Sequence, residues 1–149
     1  FLIKRAAGRV ILTPHPGEMG RLLGISTAEV QADRLGAAAR AAAGAHAVVA
    51  LKGAGTIVAR PETPPSVNLT GNPGMATGGM GDALAGLAAG LTASGATPWD
   101  AARAAVYLHG LAGDLAALAG AEASLTAGDL IEALPAAWRQ AAVEGGFRC

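Results

Sequence analysis

The sequence predicts an open α/β sheet with helices on its faces. Three observations carry this. Short apolar runs of strand length are each stopped by glycine or proline. Boxes pairing Ser or Thr with an acid three residues later open alanine-rich segments of helical length. The order is strand, helix, strand, strand, then helices.

Arg9-Val10-Ile11-Leu12 is the first apolar run, ended by Thr13-Pro14-His15-Pro16-Gly17, as a buried strand running into a tight loop reads. Glu18 to Leu23 is a short helix. Ser26-Thr27-Ala28-Glu29 is a capping box that opens a helix running to about Ala43, with Gly44 closing it. Ala47 to Leu51 is a second buried strand, Lys52-Gly53-Ala54-Gly55 a turn, and Thr56 to Ala59 a third strand. Pro61 to Pro65 forms a surface turn, and Ser66 to Leu69 a short fourth strand. A helix over residues 80 to 93 follows. The next begins at Thr97-Pro98-Trp99-Asp100 and the last at Thr126-Ala127-Gly128-Asp129, both with a hydroxyl cap and an acid reaching back. The loops at 13–17, 52–56 and 71–82 all follow strands, so all three can meet on one sheet edge, where open α/β sheets bind ligands. No linker or internal repeat divides the chain, which reads as a single domain over 1–149.

Composition narrows the partners. Alanine supplies most of the 52% hydrophobic content and aromatics are only 3%, leaving little surface for stacking bases. Eleven basic and eleven acidic residues cancel, so no nucleic-acid partner is implied. No apolar run is long enough to span a membrane. Cys149 stands alone, with no internal disulfide partner, which suits a reducing, cytoplasmic compartment. The opening Phe1-Leu2-Ile3-Lys4 is neither an initiator methionine nor a targeting segment and reads as the middle of a longer product.

The chemistry concentrates in residues 71–87, where five glycines (71, 74, 78, 79 and 81) precede Asp82 and a small-residue apolar helix. Glycine lets backbone N–H groups turn toward a ligand, and a helix starting directly afterwards adds unpaired donors that favour an anion. A carboxylate among phosphate-binding glycines repels phosphate, yet it fits if it removes a proton from a hydroxyl attacking that phosphate. The plainer alternative is a glycine-rich turn with Asp82 as a helix cap. Lys52-Gly53-Ala54-Gly55-Thr56 offers a cation, two glycines and a hydroxyl, although the lysine comes first and the spacing is not that of a Walker loop. A hairpin turn with a solvated lysine accounts for it equally. His15, held between two prolines, is either a structural loop residue or a substrate contact. His46 and His109 read as structural, and a helix-packing role is the simpler reading of Asp114. Metal-ligand spacing and a nucleophile elbow are both absent. Two glycine loops with one acid favour phosphoryl transfer.

Four stretches together resemble the ADP-dependent NAD(P)H-hydrate dehydratases: Leu12 to Glu18, Lys52 to Thr56, Gly71 to Asp82, and Tyr107 to Asp114. They occur in the right order and the likeness covers about 12 to 134. The resemblance implies a ribokinase-like three-layer α/β/α fold with an open, mostly parallel sheet. It implies dehydration of the hydrates of NADH and NADPH to the working cofactor, with ADP as co-substrate and AMP and phosphate as products. By the family pattern Asp82 is the catalytic base and Gly79, Met80 and Gly81 form the anion hole. Lys52, Gly53, Ala54, Gly55, Thr56 and Gly81 bind the nucleotide, and His15 and Asp82 contact the hydrate. Magnesium is the expected counter-ion of the phosphates. A homo-oligomer, tetrameric in the family, and fusion to or cooperation with the hydrate epimerase are implied as well. Family domains extend further on the N-terminal side, so the chain reads as the C-terminal half of the domain with part of the sheet missing.

Two other accounts stand beside this one. A ribokinase-like kinase of a small alcohol, of the hydroxymethylpyrimidine or hydroxyethylthiazole type, shares the glycine-and-acid logic and releases a stable phosphoester. A truncated, inactive domain surviving by association is favoured by length alone. The Pro-His-Pro-Gly-Glu loop and the Asn-Pro-Gly-Met-Ala run favour the dehydratase over the kinase.

Overall fold

The computed structural model describes residues 8–144. Phe1 to Lys4 and Cys149, on which two of the readings above rest, lie outside the described residues.

A four-stranded sheet in the order β1-β2-β3-β4 forms the middle layer: β1 is Ile11–Leu12, β2 Val48–Leu51, β3 Ile57–Arg60 and β4 Thr63–Val67. β2 is buried along its whole length, as expected of a strand covered on both faces. Its side chains alternate between two cores. Val49 and Leu51 join Ile57 and Ala59 against Met19, Val30 and the alanines of a helix, Ala37, Ala38, Ala41 and Ala42. Val48, Ala50 and Val58 face the other way, onto Leu84, Ala88, Ala102, Ala105 and Val106. The alanine excess is thus a packing device, since a methyl group on the helix lets its axis approach the sheet closely.

The helices on the first face are α1 (Pro16–Leu23), α2 (Thr27–Ala32) and α3 (Arg34–Ala45). On the second face lie α4 (Met80–Ala93) and α5 (Pro98–Ala119), with α6 (Ala127–Glu144) packed on α5 through a third apolar cluster that includes Leu108, Leu111, Leu130 and Ala137. Short one-turn helices at Pro73–Met75 and Glu122–Ser124 lie in the connections.

The α/β class holds, while the described strands depart from a mostly parallel sheet. β1 and β2 pair parallel, but β2–β3 and β3–β4 are antiparallel. The connections decide this, because five residues (52–56) and two residues (61–62) cannot carry the chain back across the sheet, whereas the long segment between β1 and β2 can. The stretch read as a surface turn is partly strand. β4 begins at Thr63 and includes Pro64 and Pro65, tolerated because β4 lies at an edge and needs no outward N–H. The single helix read from Ser26 to Ala43 is two. Asp33 (φ −141°, ψ 73°) breaks it, and its carboxylate restarts α3 by accepting the Gly36 N–H at 2.8 Å. α3 ends not at Gly44 but at His46, which takes the left-handed conformation at φ 51°.

Candidate functional site

Three loops meet at the carboxyl ends of β1 and β2, and each is fixed by its own local chemistry. His15 caps α1. Its Nδ1 accepts the N–H groups of Gly17 (3.1 Å) and Glu18 (3.3 Å), while Glu18 Oε2 accepts the His15 N–H at 2.7 Å. An imidazole nitrogen that accepts carries no proton, so Nε2 is the protonated edge, 3.5 Å from Glu18 Oε1. The prolines on either side add rigidity, and Pro16 begins the helix where its missing N–H is not needed.

The second loop is tied to the first through its backbone, the Lys52 N–H donating to the Pro14 carbonyl at 2.9 Å. The Lys52 side chain, about one-quarter exposed, reaches between the other two loops. Its Nζ lies 3.7 Å from Glu18 Oε2 and 3.1 Å from where a Cβ on Gly81 would stand. Glu18 thus bridges His15 and Lys52, and the His15 N–H, followed by the Lys52 ammonium, holds its carboxyl below the ordinary glutamate value. The loop turns at Gly53 (φ 140°) and Gly55 (φ 64°), conformations that L side chains rarely adopt. Thr56 Oγ1 closes it by donating to the Gly53 carbonyl at 3.1 Å. Residues 52–56 are therefore a hairpin connection, as the simpler reading had it, but the lysine is not merely solvated.

The third loop leads into α4. Gly79 (φ 84°) is the residue before the helix and places no side chain over its first turn, and Ala83 is the first residue whose N–H is taken up, by the Gly79 carbonyl at 3.0 Å. The N–H groups of Gly79, Met80, Gly81 and Asp82 donate to no described residue. They leave a cluster of donors at the positive end of the helix dipole. Asp82 stands exposed in this first turn, and its carboxylate bonds to none of the described residues, so it is not the side-chain cap that the plainer alternative made it. Met80 is anchored from below: its side chain is buried, and its carbonyl accepts from Nε2 of His109 at 2.9 Å. Burial pushes the His109 imidazole below its ordinary value, keeping it neutral under the helix terminus.

The remainder of the glycine loop is held by α5. Asp114 accepts the Gly71 N–H at 2.8 Å and Asn72 Nδ2 at 2.9 Å. Thr70 Oγ1 donates to the Tyr107 carbonyl at 3.0 Å, and Asn68 Nδ2 reaches the Thr70 carbonyl at the same distance. The loop presses so closely on the helix that a Cβ at Gly110 would fall 2.1 Å from Thr70 Oγ1, and one at Gly113 2.4 Å from Met75 Sδ. Asp114 is thus an anchor of the loop rather than a packing residue, and the glycines at 110 and 113 were the sequence signal of a close approach, by the Thr70 backbone at the first and by the Met75 side chain at the second.

His15, Lys52 and Gly81 are brought together; Gly53, Ala54, Gly55 and Thr56 lie along the same edge, and Gly79, Met80 and Asp82 surround Gly81. Sequence reasoning missed Glu18 as the bridge, Asn72 and Asp114 as the clamp, and Arg34. The last sits in the first turn of α3 and donates to the carbonyls of Leu51, Lys52 and Ala54. Among the described residues no three His, Cys, Asp or Glu side chains gather to hold a metal ion.

Residues 3–136 match the family model described as NAD(P)H-hydrate dehydratase. The bifunctional NAD(P)H-hydrate repair enzyme of Moorella thermoacetica is 52% identical over 128 residues, covering 86% of this chain and 24% of that one. The ADP-dependent (S)-NAD(P)H-hydrate dehydratase of Neisseria meningitidis is 46% identical over 132 residues, 88% of this chain and 45% of that one. Among solved structures, the ADP/ATP-dependent NAD(P)H-hydrate dehydratase from Bacillus subtilis, co-crystallised with ATP/Mg2+ and soaked with CoA, superposes with a TM-score of 0.84 at 39% identity, over 88% of this chain and 48% of that one. The fold is accordingly the ribokinase-like α/β fold. The chain spans between about a quarter and a half of the length of these relatives.

Proposed function

That the chain belongs to the NAD(P)H-hydrate dehydratase family is the premise from which we propose that it carries the nucleotide and catalytic half of an ADP-dependent dehydration of hydrated NADH or NADPH. The observation that supports this most is the meeting of three loops around Lys52, whose ammonium stands beside Gly81 at the free N-terminus of α4, next to an unpartnered carboxylate, Asp82.

The chemistry follows from leaving-group ability. Hydroxide leaves the reduced ring poorly, whereas a phosphate ester leaves well. The ring hydroxyl attacks the β-phosphorus of ADP as Asp82 takes its proton, the bond from that phosphorus to the bridging oxygen breaks, and AMP departs. The ring nitrogen then expels phosphate to leave an iminium, and loss of a proton from the adjacent ring carbon to the departing phosphate restores the reduced nicotinamide. The N–H groups of Gly79 to Gly81 lie where negative charge on the transferring group develops, and they need no reorganisation because Gly79 leaves them uncovered. Lys52 and the loop to Thr56 hold the nucleotide phosphates. His15 meets the hydrate through Nε2–H as a hydrogen-bond donor, its Nδ1 being engaged by the cap. A magnesium ion bound with the nucleotide would neutralise phosphate charge.

The protein is further proposed to form homo-oligomers in the cytoplasm and to act alongside an epimerase; the Moorella thermoacetica relative is named a bifunctional repair enzyme. No helix of the described residues is long and apolar enough to cross a membrane.

The test uses the full-length protein with purified hydrate and ADP. Return of the near-ultraviolet absorbance of the reduced nicotinamide, with one AMP and one phosphate per turnover, is expected. Phosphorylation of a vitamin-precursor alcohol with a stable phosphoester accumulating, and no reduced cofactor formed, would replace this reading with that of a kinase.

A further inference from the structure

Arg34 has no place in the reaction as written, yet it occupies the underside of the nucleotide loop. One guanidinium nitrogen donates to the Ala54 carbonyl, and the other lies 3.4 Å from the carbonyls of both Leu51 and Lys52. Three carbonyls from four consecutive residues therefore point at one planar cation. A trans peptide directs the C=O of one residue and the N–H of the next to opposite sides, and no cis bond occurs among the described residues. Capture of the Lys52 and Ala54 carbonyls thus turns the N–H groups of Gly53 and Gly55 away from Arg34. Neither of these donates to any described residue. The Lys52 N–H, turned outward by the same rule, is the one taken by Pro14.

The glycines fit this arrangement. A Cβ on Gly53 would fall 2.9 Å from the Arg34 guanidinium, and φ is 140° at Gly53 and 64° at Gly55. Arg34 Nε is buried with no partner, so the side chain keeps this position despite an unsatisfied donor. Asp33, one residue earlier, breaks the preceding helix and sets the start of α3 from which Arg34 projects.

We propose that Arg34 is a positioning residue for the nucleotide: by gathering the carbonyls of Leu51, Lys52 and Ala54 it aims the Gly53 and Gly55 N–H groups at the phosphates of a nucleoside diphosphate. The inference rests on the reading of residues 52–56 as the ADP loop. A planar fork is needed, because a lysine ammonium at this position supplies charge without the rigid geometry that spans three carbonyls.

The experiment measures ADP affinity by calorimetry, KM for ADP, and kcat at saturating ADP for the full-length protein and for Arg34→Lys, Arg34→Ala and Gly53→Ala. Both Arg34 variants are expected to lose about tenfold or more in ADP affinity, with KM for ADP rising in step and kcat changing less than about threefold, since aiming donors at bound phosphate alters binding rather than the proton transfer at Asp82. Added methylguanidinium should restore ADP affinity to Arg34→Ala. Gly53→Ala, which keeps the arginine but displaces it, should match the affinity loss and decides the matter if Arg34→Ala does not fold. Parent-like ADP affinity in Arg34→Lys, or a fall in kcat with KM unchanged, overturns the proposal alone. An unsubstituted protein that binds no ADP overturns the loop assignment beneath it.

Discussion

The two glycine loops are held from beneath by charges of opposite sign. Under residues 52–56 lies a cation, Arg34, which takes carbonyls and leaves N–H groups free on the outer side. Under residues 70–75 lies an anion, Asp114, which takes the Gly71 N–H and the Asn72 amide. A loop clamped through its N–H groups has fewer donors for a phosphate. The second loop tolerates this because it runs into α4, whose first turn supplies unpaired N–H groups of its own. The first loop returns directly into β3 and has no helix terminus, so its donors must come from the hairpin itself. The sign of each clamp follows from where its loop finds its donors.

Breaking this comparison at Asp82, the proposed base, gives the largest effect. Asp82→Asn is expected to slow turnover by roughly 10² to 10⁴ while leaving ADP affinity nearly intact, because only proton removal is lost. Single-turnover rates and ADP titrations on one preparation check it; a parent-like rate with earlier melting would make Asp82 a helix-stabilising acid and nothing more. Next in size is Gly110→Ala. The new methyl meets Thr70 Oγ1 at 2.1 Å and the Thr70 backbone at 2.7 Å, so about 1–3 kcal/mol of stability should go in denaturant unfolding, with turnover falling as the loop shifts. Gly86→Ala in α4 is the control, since nothing lies within 4 Å of its Cβ, and it should be neutral or stabilise by up to about 1 kcal/mol. Equal losses at the two positions would show that the tight crossing on α5 is relaxed in solution.

Asp114→Ala removes the anionic clamp and its bonds to the exposed Gly71 N–H and the half-buried Asn72 amide, a loss of about 1 kcal/mol. Unlike Arg34→Ala, it should lower kcat and stability together, because the loop it releases leads to Asp82. A change confined to ADP affinity would erase the contrast between the clamps. The smallest effect is one of pH. His109 is buried and its folded value lies below the ordinary one, so the unfolded chain takes up a proton first as the pH falls. Stability should therefore decline below about pH 6.5 and level off once the folded imidazole also protonates. His109→Gln, which can still donate to the Met80 carbonyl, should flatten that slope in urea midpoints measured across the range. An unchanged slope would assign the acid sensitivity to another group.

Much of the framework was legible because its causes are local. Ser26, Thr97 and Thr126 each accept the N–H of the acid three residues on, at 3.2 to 3.3 Å, as the capping boxes predict. The apolar runs at 47–51 and 56–59 form β2 and β3 because their flanking glycines and lengths leave little else. The helix break at Asp33 was not legible, since aspartate inside an alanine-rich stretch carries no breaking signal until its carboxylate finds the Gly36 N–H. Arg34 was hidden for a related reason: an arginine on a helix reads as a solvated charge, and its carbonyl partners lie seventeen to twenty residues away along the chain.

Sequence alone therefore determined which residues could take special backbone conformations, where helices begin, and which loops follow strands, because each depends on neighbours within a few positions. The family likeness rests on the same short motifs. Only the tertiary structure decided that Lys52 stands beside Gly81, that Glu18 bridges His15 and Lys52, and that a half-buried cation and a half-buried anion hold the two loops. Those contacts join segments that meet only when the sheet has formed and helices have packed on its two faces. Their partners are backbone carbonyls and N–H groups, which every residue carries and no sequence pattern distinguishes.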